Sequence, residues 1–308
     1  MKQIEWLESV NFDAGWVDDQ ALVAEAVEGF NYKSFNDTPA GRLALGDLPK
    51  EVALWKGAAS FVGKSSLPVE NQGNAGFCVG FGTCRAIEYT NLCEIVAGEA
   101  ETFRPLSRGV VYAGSRVEAN GGKSPFRGDG STGGGAAKFV TKYGVLDEGI
   151  YEGFDLTKYN IPMIREWGTK GVPDALEPLI KQHPVSNATV VGNIDEARRA
   201  LAQGYGISVC SNQGFTTSRG LNGVCQPSGN WAHCMCCSGY MWIGNDLYFF
   251  IENSWGNYMG TKNPCPMGAN NGTFLCRGDT FSRMLGSRDS YCFAGVQGFV
   301  RRKIDWTF

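Results

Sequence analysis

The chain has 308 residues, which is long enough for one large domain or for two lobes that share a core. Its 28 Lys and Arg residues are scattered and slightly outnumbered by 31 Asp and Glu residues, so the formal net charge is -3. Binding to nucleic acid or to an anionic membrane requires a basic stripe that this balance lacks, and we expect neither partner.

The longest apolar runs, such as Leu247 to Ile251, fall far short of the roughly 20 residues that span a bilayer. The stretch from Met1 to Ser9 lacks the basic region followed by an apolar one that marks a secretory signal. We therefore expect no transmembrane helix and a cytoplasmic location.

The chain contains 11 cysteines. Cys234, Cys236 and Cys237 fall on one predicted strand, whose alternation points the first two to one face and the third to the other. This crowding and the missing secretory pattern indicate reduced, buried cysteines rather than a disulfide framework. Structural zinc is the alternative, but a second CxxC pair is missing, so we expect no metal and no other cofactor.

In chain order, residues 1–46 form a polar, acidic lead-in with one helical patch, Asp19 to Phe30. The following stretch, Asn36 to Gly41, has the composition of a loop. Burial of aromatic side chains is favourable, so we expect the lead-in to dock on the rest of the protein. The aromatic residues concerned are Trp6, Phe12, Trp16, Phe30, Tyr32 and Phe35.

One long helix is predicted from Phe77 to Val96, with Gly98 ending it. Gly80 and Gly82 lie inside this helix, and each costs about 1 kcal/mol relative to Ala, which predicts that another element packs closely on their face. Further helices are predicted over 107–118, 134–143 and 194–203, with a glycine-rich loop over 123–135.

Strands are predicted over 206–211, 232–243 and 247–253, with turns at 228–230 and 244–246. A helix-rich front and a strand-rich back predict an α+β protein with two lobes. The helical lobe covers about residues 47–185 and the β-rich lobe about residues 186–308.

Histidine is the usual general base near neutral pH, and the chain offers His183 and His233. His183 lies in a loop-like context without an acid or a thiol nearby in the sequence. His233 lies on a predicted strand, where histidines are more often structural than catalytic, so its significance depends on a partner.

Cys78 is the candidate partner, because it follows a polar, glycine-bearing loop and begins the long predicted helix. The helix dipole stabilises a thiolate there by up to about 2 kcal/mol, so we expect a pKa well below the usual value of about 8.5. The Gln72 amide on the same loop is placed to donate to an oxyanion together with the Cys78 N–H.

Three segments together resemble the papain-like cysteine peptidases. They are Asn71-Gln-Gly-Asn-Ala-Gly-Phe-Cys78-Val-Gly-Phe81, Trp231-Ala-His233 and Asn253-Ser-Trp-Gly256, in the order of that family's nucleophile, histidine and asparagine segments. Weaker similarity extends over about residues 48–300. The resemblance implies a two-lobed α+β fold, with a helical N-terminal lobe, an antiparallel β-barrel-like C-terminal lobe and an active-site cleft between them.

The resemblance also implies roles for individual residues. Cys78 attacks an acyl carbon, His233 carries the proton to the leaving amine, and Asn253 orients the imidazole. Gln72 and the Cys78 amide hold the oxyanion. Substrate-binding positions are implied at Gly76, Phe77, Gly133, Gly134, Ala232 and Trp255, the last also shielding the hydrogen bond between His233 and Asn253.

The segment around Cys78 departs from the family at three positions. Ala75 stands where members usually carry a disulfide cysteine, Phe77 replaces a small residue, and Val79 replaces the usual Trp. The missing cysteine fits a reducing compartment. We expect Phe77 to narrow or reshape the cleft, so the family's substrate preference does not transfer.

The predicted activity is that of a cysteine endopeptidase, which hydrolyses peptide bonds of protein or peptide substrates through a thiolate–imidazolium pair and an acyl-enzyme. Two alternatives stay open, namely an inactive papain-fold binding or structural protein and a thiol amidase acting on cell-wall peptides.

Two roles are likewise open for the lead-in, which precedes the peptidase domain over residues 47–308. It is either an inhibitory propeptide cleaved within 36–46 or a structural arm on the far face.

Overall fold

The computed structural model describes residues 15–56, 63, 66–99, 102–295 and 298–306. The predicted anchors Trp6 and Phe12 therefore lie outside the described residues. The α-helices that lie wholly within these ranges are α1 (Gln20–Glu28), α2 (Cys78–Val96), α3 (Arg108–Arg116), α4 (Gly133–Lys142), α5 (Ile161–Lys170), α6 (Glu177–Ile180), α7 (Ile194–Ala202) and α8 (Gly278–Leu285).

The strands alternate with these helices and concentrate in the second half of the chain. They are β1 (Glu51–Ala53), β2 (Ile150–Tyr151), β3 (Phe154–Asp155), β4 (Asn187–Val190), β5 (Ile207–Phe215), β6 (Pro227–Ile243), β7 (Asp246–Glu252), β8 (Thr273–Arg277) and β9 (Ser290–Ala294). The helix-rich front and strand-rich back predicted from the sequence are confirmed.

The long helix α2 begins at Cys78, as predicted, and Gly98 follows it with a φ of 78° that favours glycine. Its two internal glycines allow close packing. A Cβ at Gly80 would lie 2.5 Å from the Arg108 carbonyl oxygen, and one at Gly82 would lie 2.7 Å from Cys234 Sγ. Because α2 thus presses against both α3 and β6, Cys78 lies where the helices meet the sheet.

The main sheet is antiparallel, with strand order β4-β9-β5-β6-β7-β8 and β1 paired to β6. Among the described strands the two end members, β4 and β8, do not pair with each other, so the sheet does not close completely into a barrel. The predicted turn at 244–246 is confirmed by the β6–β7 connection, where Gly244 has a φ of 60°.

The predicted turn at 228–230 is wrong, because β6 already begins at Pro227. The chain accommodates Gly229, at a φ of 65°, as an irregularity within the ladder. The register of β6 shifts opposite Gln213 and Phe215 of β5 at this point. Glycine thus marks a bulge here rather than the end of a strand.

The lead-in packs into the protein core from α1 onward. Asp19 Oδ1 caps α1 by accepting the N–H groups of Ala21 and Leu22 at 3.1 Å each. Phe30 meets Tyr291 edge-on at 5.8 Å, and the fully buried Phe35 meets Phe299 at 5.6 Å.

The expected cleavage loop over 36–46 is folded rather than open. It contains three short 3-10 turns, and Thr38 and Ala40 are buried within it. Several residues of this stretch are exposed, but a protease requires an extended substrate, so cleavage here would require these turns to unfold first.

All 11 cysteines are buried and unpaired, in agreement with the sequence-based interpretation. None of the described helices is both long and apolar enough to cross a membrane.

Candidate active site

The thiol of Cys78 is fully buried at the start of α2. The N–H of Cys234 donates to Cys78 Sγ at 3.3 Å, which places the backbone that follows His233 against the thiol. The main chain of Gly15 covers the same thiol, since a Cβ there would lie 2.7 Å from the sulfur. A residue with a side chain does not fit at Gly15 without displacing its neighbours.

The predicted histidine and asparagine meet at the bottom of the same site. His233 Nε2 and Asn253 Oδ1 are 2.8 Å apart, and Asn253 Nδ2 donates to the Tyr258 hydroxyl at 3.0 Å. The ring of Trp255 lies 4.6 Å from the imidazole at an interplanar angle of 31° and covers this hydrogen bond. When His233 Nε2 donates its hydrogen to Asn253 Oδ1, Nδ1 is the ring nitrogen that remains to exchange a proton.

Gln72 links the nucleophile loop to the asparagine segment. Its Oε1 accepts from Ser254 Oγ at 2.6 Å, and its main-chain N–H donates to the Ser254 carbonyl at 2.8 Å. Its Nε2 donates one hydrogen to the Ala75 carbonyl at 2.7 Å. An amide carries two such hydrogens, so one remains for an oxyanion.

A buried ion cluster fixes the loop and the strand that carry these groups. Arg85 of α2 binds Glu70, two residues before Gln72, and Glu252, directly before Asn253, the latter at 2.9 Å. Arg108 contacts the same Glu70 at 2.6 Å and Glu88 at 2.5 Å. Burial alone would raise the pKa of Glu70, but the two guanidinium groups lower it. Removing one partner from such a cluster leaves a buried charge without compensation.

Residues Gly15 to Val17, here called the strap, cross the site as an extended peptide. The N–H groups of Gly15 and Trp16 reach the Ala232 carbonyl at 3.1 and 3.0 Å. On the other side, the Ser131 N–H donates to the Gly15 carbonyl at 3.0 Å, and the Val17 N–H donates to the Ser131 carbonyl at 2.8 Å. The strap therefore connects the sheet and the helical side above Cys78.

Some of the residues that contact the strap were predicted as substrate-binding residues, and others were not. Ala232 was predicted as a substrate-binding residue and here accepts two hydrogen bonds from the strap. Ser131 was not named among the substrate-binding residues, although it lies within the glycine-rich stretch, two residues before α4. Gly76 was also predicted, and its carbonyl carbon would lie 2.7 Å from a Cβ at Gly15.

Three further predicted positions take up other contacts. The N–H groups of Gly133 and Gly134, the first residues of α4, each donate to the buried Asp289 at 2.7 Å. The ring of Phe77 packs on Tyr112 at 4.2 Å and is 1% exposed, so it lies behind the nucleophile loop. Direct contact of these three residues with substrate stays a prediction.

The pKa of the Cys78 thiol in this covered site differs from the one expected from the sequence. Burial raises the pKa of the Cys78 thiol well above its ordinary value, and the N–H groups of Cys234, Val79 and Gly15 offset this only in part. Burial likewise lowers the pKa of His233 to about 4, although the hydrogen bond with Asn253 raises it. The low thiol pKa expected from the helix position is wrong while the strap covers Cys78, because desolvation outweighs the helix dipole.

The other histidine, His183, is exposed and lies away from Cys78. It borders a surface cavity of about 640 Å³ together with Thr90, Asn91, Val185 and Phe293.

No family model and no curated protein matches this chain in sequence. Solved structures do match. Xylellain, a cysteine protease from Xylella fastidiosa, aligns over 92% of each chain with a TM-score of 0.57 and 17% identity. Digestive procathepsin L 3 of Tenebrio molitor larval midgut aligns over 89% of this chain and 78% of its own, with a TM-score of 0.55 and 17% identity.

The Amb a 11 cysteine protease of ragweed pollen, in its proform, aligns over 96% of this chain and 79% of its own. Its TM-score is 0.57 and its identity is 16%. At such low identity the agreement concerns the arrangement of helices and strands. This protein therefore has the fold of the papain-like cysteine proteases.

Proposed function

We propose that this protein is a cysteine endopeptidase that its own strap holds in a latent state. The observation that carries the proposal is the strap itself, an extended stretch of main chain held between Ser131 and Ala232 directly above the Cys78 thiol. A site that holds one extended peptide by its backbone suits other peptides as well, because these hydrogen bonds do not depend on side chains.

In the opened enzyme, a substrate peptide takes the place of the strap and Cys78 Sγ attacks its scissile carbonyl carbon. The second Gln72 Nε2 hydrogen and the Cys78 N–H stabilise the resulting oxyanion. His233 Nδ1, oriented through Nε2 by Asn253, gives its proton to the leaving amine. Water, deprotonated by His233, then hydrolyses the acyl-enzyme and releases the second product.

Latency follows from the burial that the strap imposes. The covered thiol and imidazole are stabilised in their neutral forms, so the ion pair needed for attack forms only when solvent or substrate replaces the strap. The proforms among the similar structures support this arrangement by analogy. The buried, unpaired thiols support the expected cytoplasmic location.

The test is hydrolysis of a diverse peptide pool that includes cell-wall peptides, with products identified by mass spectrometry. We expect Trp16→Ala in the full chain to raise the rate at least tenfold over the unaltered protein, because the strap loses its anchored side chain. Trp242→Ala removes an exposed indole of β6 and serves as the matched control, with no change expected.

Two results would redirect the proposal. An opened chain that folds but cleaves nothing favours an inactive binding or structural protein. Cleavage confined to the cell-wall peptides favours the amidase.

A further inference from the structure

Asp129 is a carboxylate that the proposed mechanism does not use, and it joins two loops that border the Cys78 thiol. Its Oδ2 accepts the N–H of Gly76, two residues before Cys78, at 3.3 Å. In the chain, Asp129 lies two residues before Ser131, whose main chain holds the strap. One side chain therefore connects the loop that carries the nucleophile with the loop that binds the extended peptide.

Arg165 of α5 fixes this carboxylate from the other side of the contact. Its Nε lies 3.0 Å from Asp129 Oδ1 and its Nη2 lies 2.7 Å from Oδ2, a bidentate pair that defines orientation as well as energy. The Asp129 side chain is 11% exposed. Burial alone would raise its pKa, but the hydrogen bonds from Arg165 and from the Gly76 N–H lower it, so the carboxylate is charged at neutral pH.

The Arg165 guanidinium also contacts Phe77, the residue directly before the nucleophile. Its Cζ lies 5.7 Å from the centroid of the Phe77 ring. The same ring packs on Tyr112, whose hydroxyl accepts the N–H of Gly130 at 3.2 Å. The two residues before Cys78 are thus held to the neighbouring loop, one by its main chain and the other by its ring.

No disulfide ties the nucleophile loop to its surroundings, because all 11 cysteines of the chain are described and unpaired. The place of the Cys78 N–H, one of the two proposed oxyanion donors, therefore depends on noncovalent contacts of the residues before it. Such placement matters for the rate, since a displacement of about 1 Å can cost about 100-fold.

We propose that Asp129 is a positioning residue for the peptide hydrolysis proposed above. Arg165 fixes the carboxylate, and the carboxylate fixes the Gly76 N–H. The Cys78 thiol and N–H thereby keep their distance from a peptide bound at Ser131. Asp129 itself does not touch the substrate. The inference rests on the proposed function, since it assigns this residue to the reaction of Cys78.

Two measurements on the opened Trp16→Ala chain test the inference, and the first is hydrogen–deuterium exchange of the Gly76 amide, resolved to single residues by mass spectrometry. Asp129→Ala should speed this exchange about 10- to 100-fold, the range of a hydrogen bond to a charged group. Asp129→Asn should speed it only about threefold to tenfold, because an amide oxygen in the place of Oδ2 still accepts the N–H but is uncharged.

The matched control is Glu166→Ala, which removes another ion pair of α5, the one with Lys170 at 2.7 Å. This pair is exposed, and we expect no change in the Gly76 exchange. If Asp129→Ala does not fold, the comparison of Asp129→Asn with this control decides in its place.

The second measurement is steady-state hydrolysis of a peptide that the opened chain cleaves. Asp129→Ala should lower kcat about 10- to 100-fold, with a smaller change in KM because the peptide backbone still binds Ser131 and Ala232. Asp129→Asn should recover most of kcat, and Glu166→Ala should leave it unchanged. Both Asp129 variants lose the ion pair with Arg165, so a role limited to stability would lower kcat equally in both.

Gly76 exchange at the control rate in both Asp129 variants would overturn the inference, whether or not the chain hydrolyses peptides. Equal kcat losses in the two variants, or an unchanged kcat in Asp129→Ala, would also overturn it. The proposed function is judged apart from this. Absence of hydrolysis by the opened chain with Asp129 unaltered would refute the endopeptidase, and the exchange rates would still support or overturn the tie between Asp129 and the nucleophile loop.

Discussion

The described part of the lead-in, from residue 15 onward, consists of two stretches that are held in different ways. The strap is held mainly by main-chain hydrogen bonds and by one anchored side chain, Trp16. The stretch from α1 to Asp47, here called the arm, is held by a cap at Asp19 and by aromatic rings such as Phe35 in the core. The strap supplies one side chain to the core, Trp16, and is otherwise held by its backbone, so it is exchanged for another peptide more readily than the arm, which supplies both Phe30 and Phe35.

Because of this difference, each of the two roles left open for the lead-in can be assigned to one stretch. We propose that the strap is the inhibitory element and that the arm is the structural one. The informative truncation therefore begins at Asp18 and keeps the arm, since removal of the arm would take Phe30 and Phe35 out of the core.

The largest expected effect concerns Cys78, whose thiol the strap covers. In the opened Trp16→Ala chain, Cys78→Ala should lower turnover by about 10⁶, because a methyl group cannot act as a nucleophile. Single-turnover peptide hydrolysis measures this loss. His183→Ala, at an exposed site away from Cys78, is the control and should leave the rate unchanged. Substantial hydrolysis by the Cys78 variant would exclude the thiol mechanism.

The second effect separates the arm from the strap by stability. Phe35→Ala should lower the free energy of unfolding by about 3–5 kcal/mol, as expected for a fully buried aromatic ring. Trp16→Ala should lower the free energy of unfolding by less. The strap can undock while the rest of the protein stays folded, so this loss cannot exceed the free energy of strap docking. Urea unfolding of the two variants measures both values. Equal losses would show that strap and arm unfold as one unit.

The third effect concerns the oxyanion. In the opened chain, Gln72→Ala should lower kcat by about 10² to 10³, the range for loss of one oxyanion donor, with a smaller change in KM. Steady-state kinetics on a peptide found to be cleaved gives both constants. An unchanged kcat would assign the oxyanion role to another group and leave Gln72 as a link to Ser254.

Local sequence patterns predicted the central part of the candidate active site well. The start of α2 at Cys78 follows from a contiguous loop-to-helix pattern, and the pairing of His233 with Asn253 was implied by the family resemblance of their short motifs. The bond from Trp16 to Asp289 joins residues 273 positions apart, and no local pattern points to it. The same limit explains the wrong pKa of Cys78, because a helix terminus is visible in the sequence but its cover is not.

The last effect uses pH to show what the strap does to His233. Burial lowers the pKa of this imidazole to about 4 in the folded chain, below the ordinary value of 6.5, so the unfolded state binds more protons between pH 4 and 6.5. Stability therefore falls as pH falls through this window, by about 3 kcal/mol for a shift of this size. Urea unfolding at pH 7 and pH 4 should show this loss in the strapped chain relative to His233→Gln, whose side chain stays neutral. In the Trp16→Ala chain the imidazole gains access to solvent, and the loss relative to the same Gln variant should shrink. If the two chains lose equal stability, residues other than the strap keep His233 from solvent, and the latency proposed here does not act through the histidine.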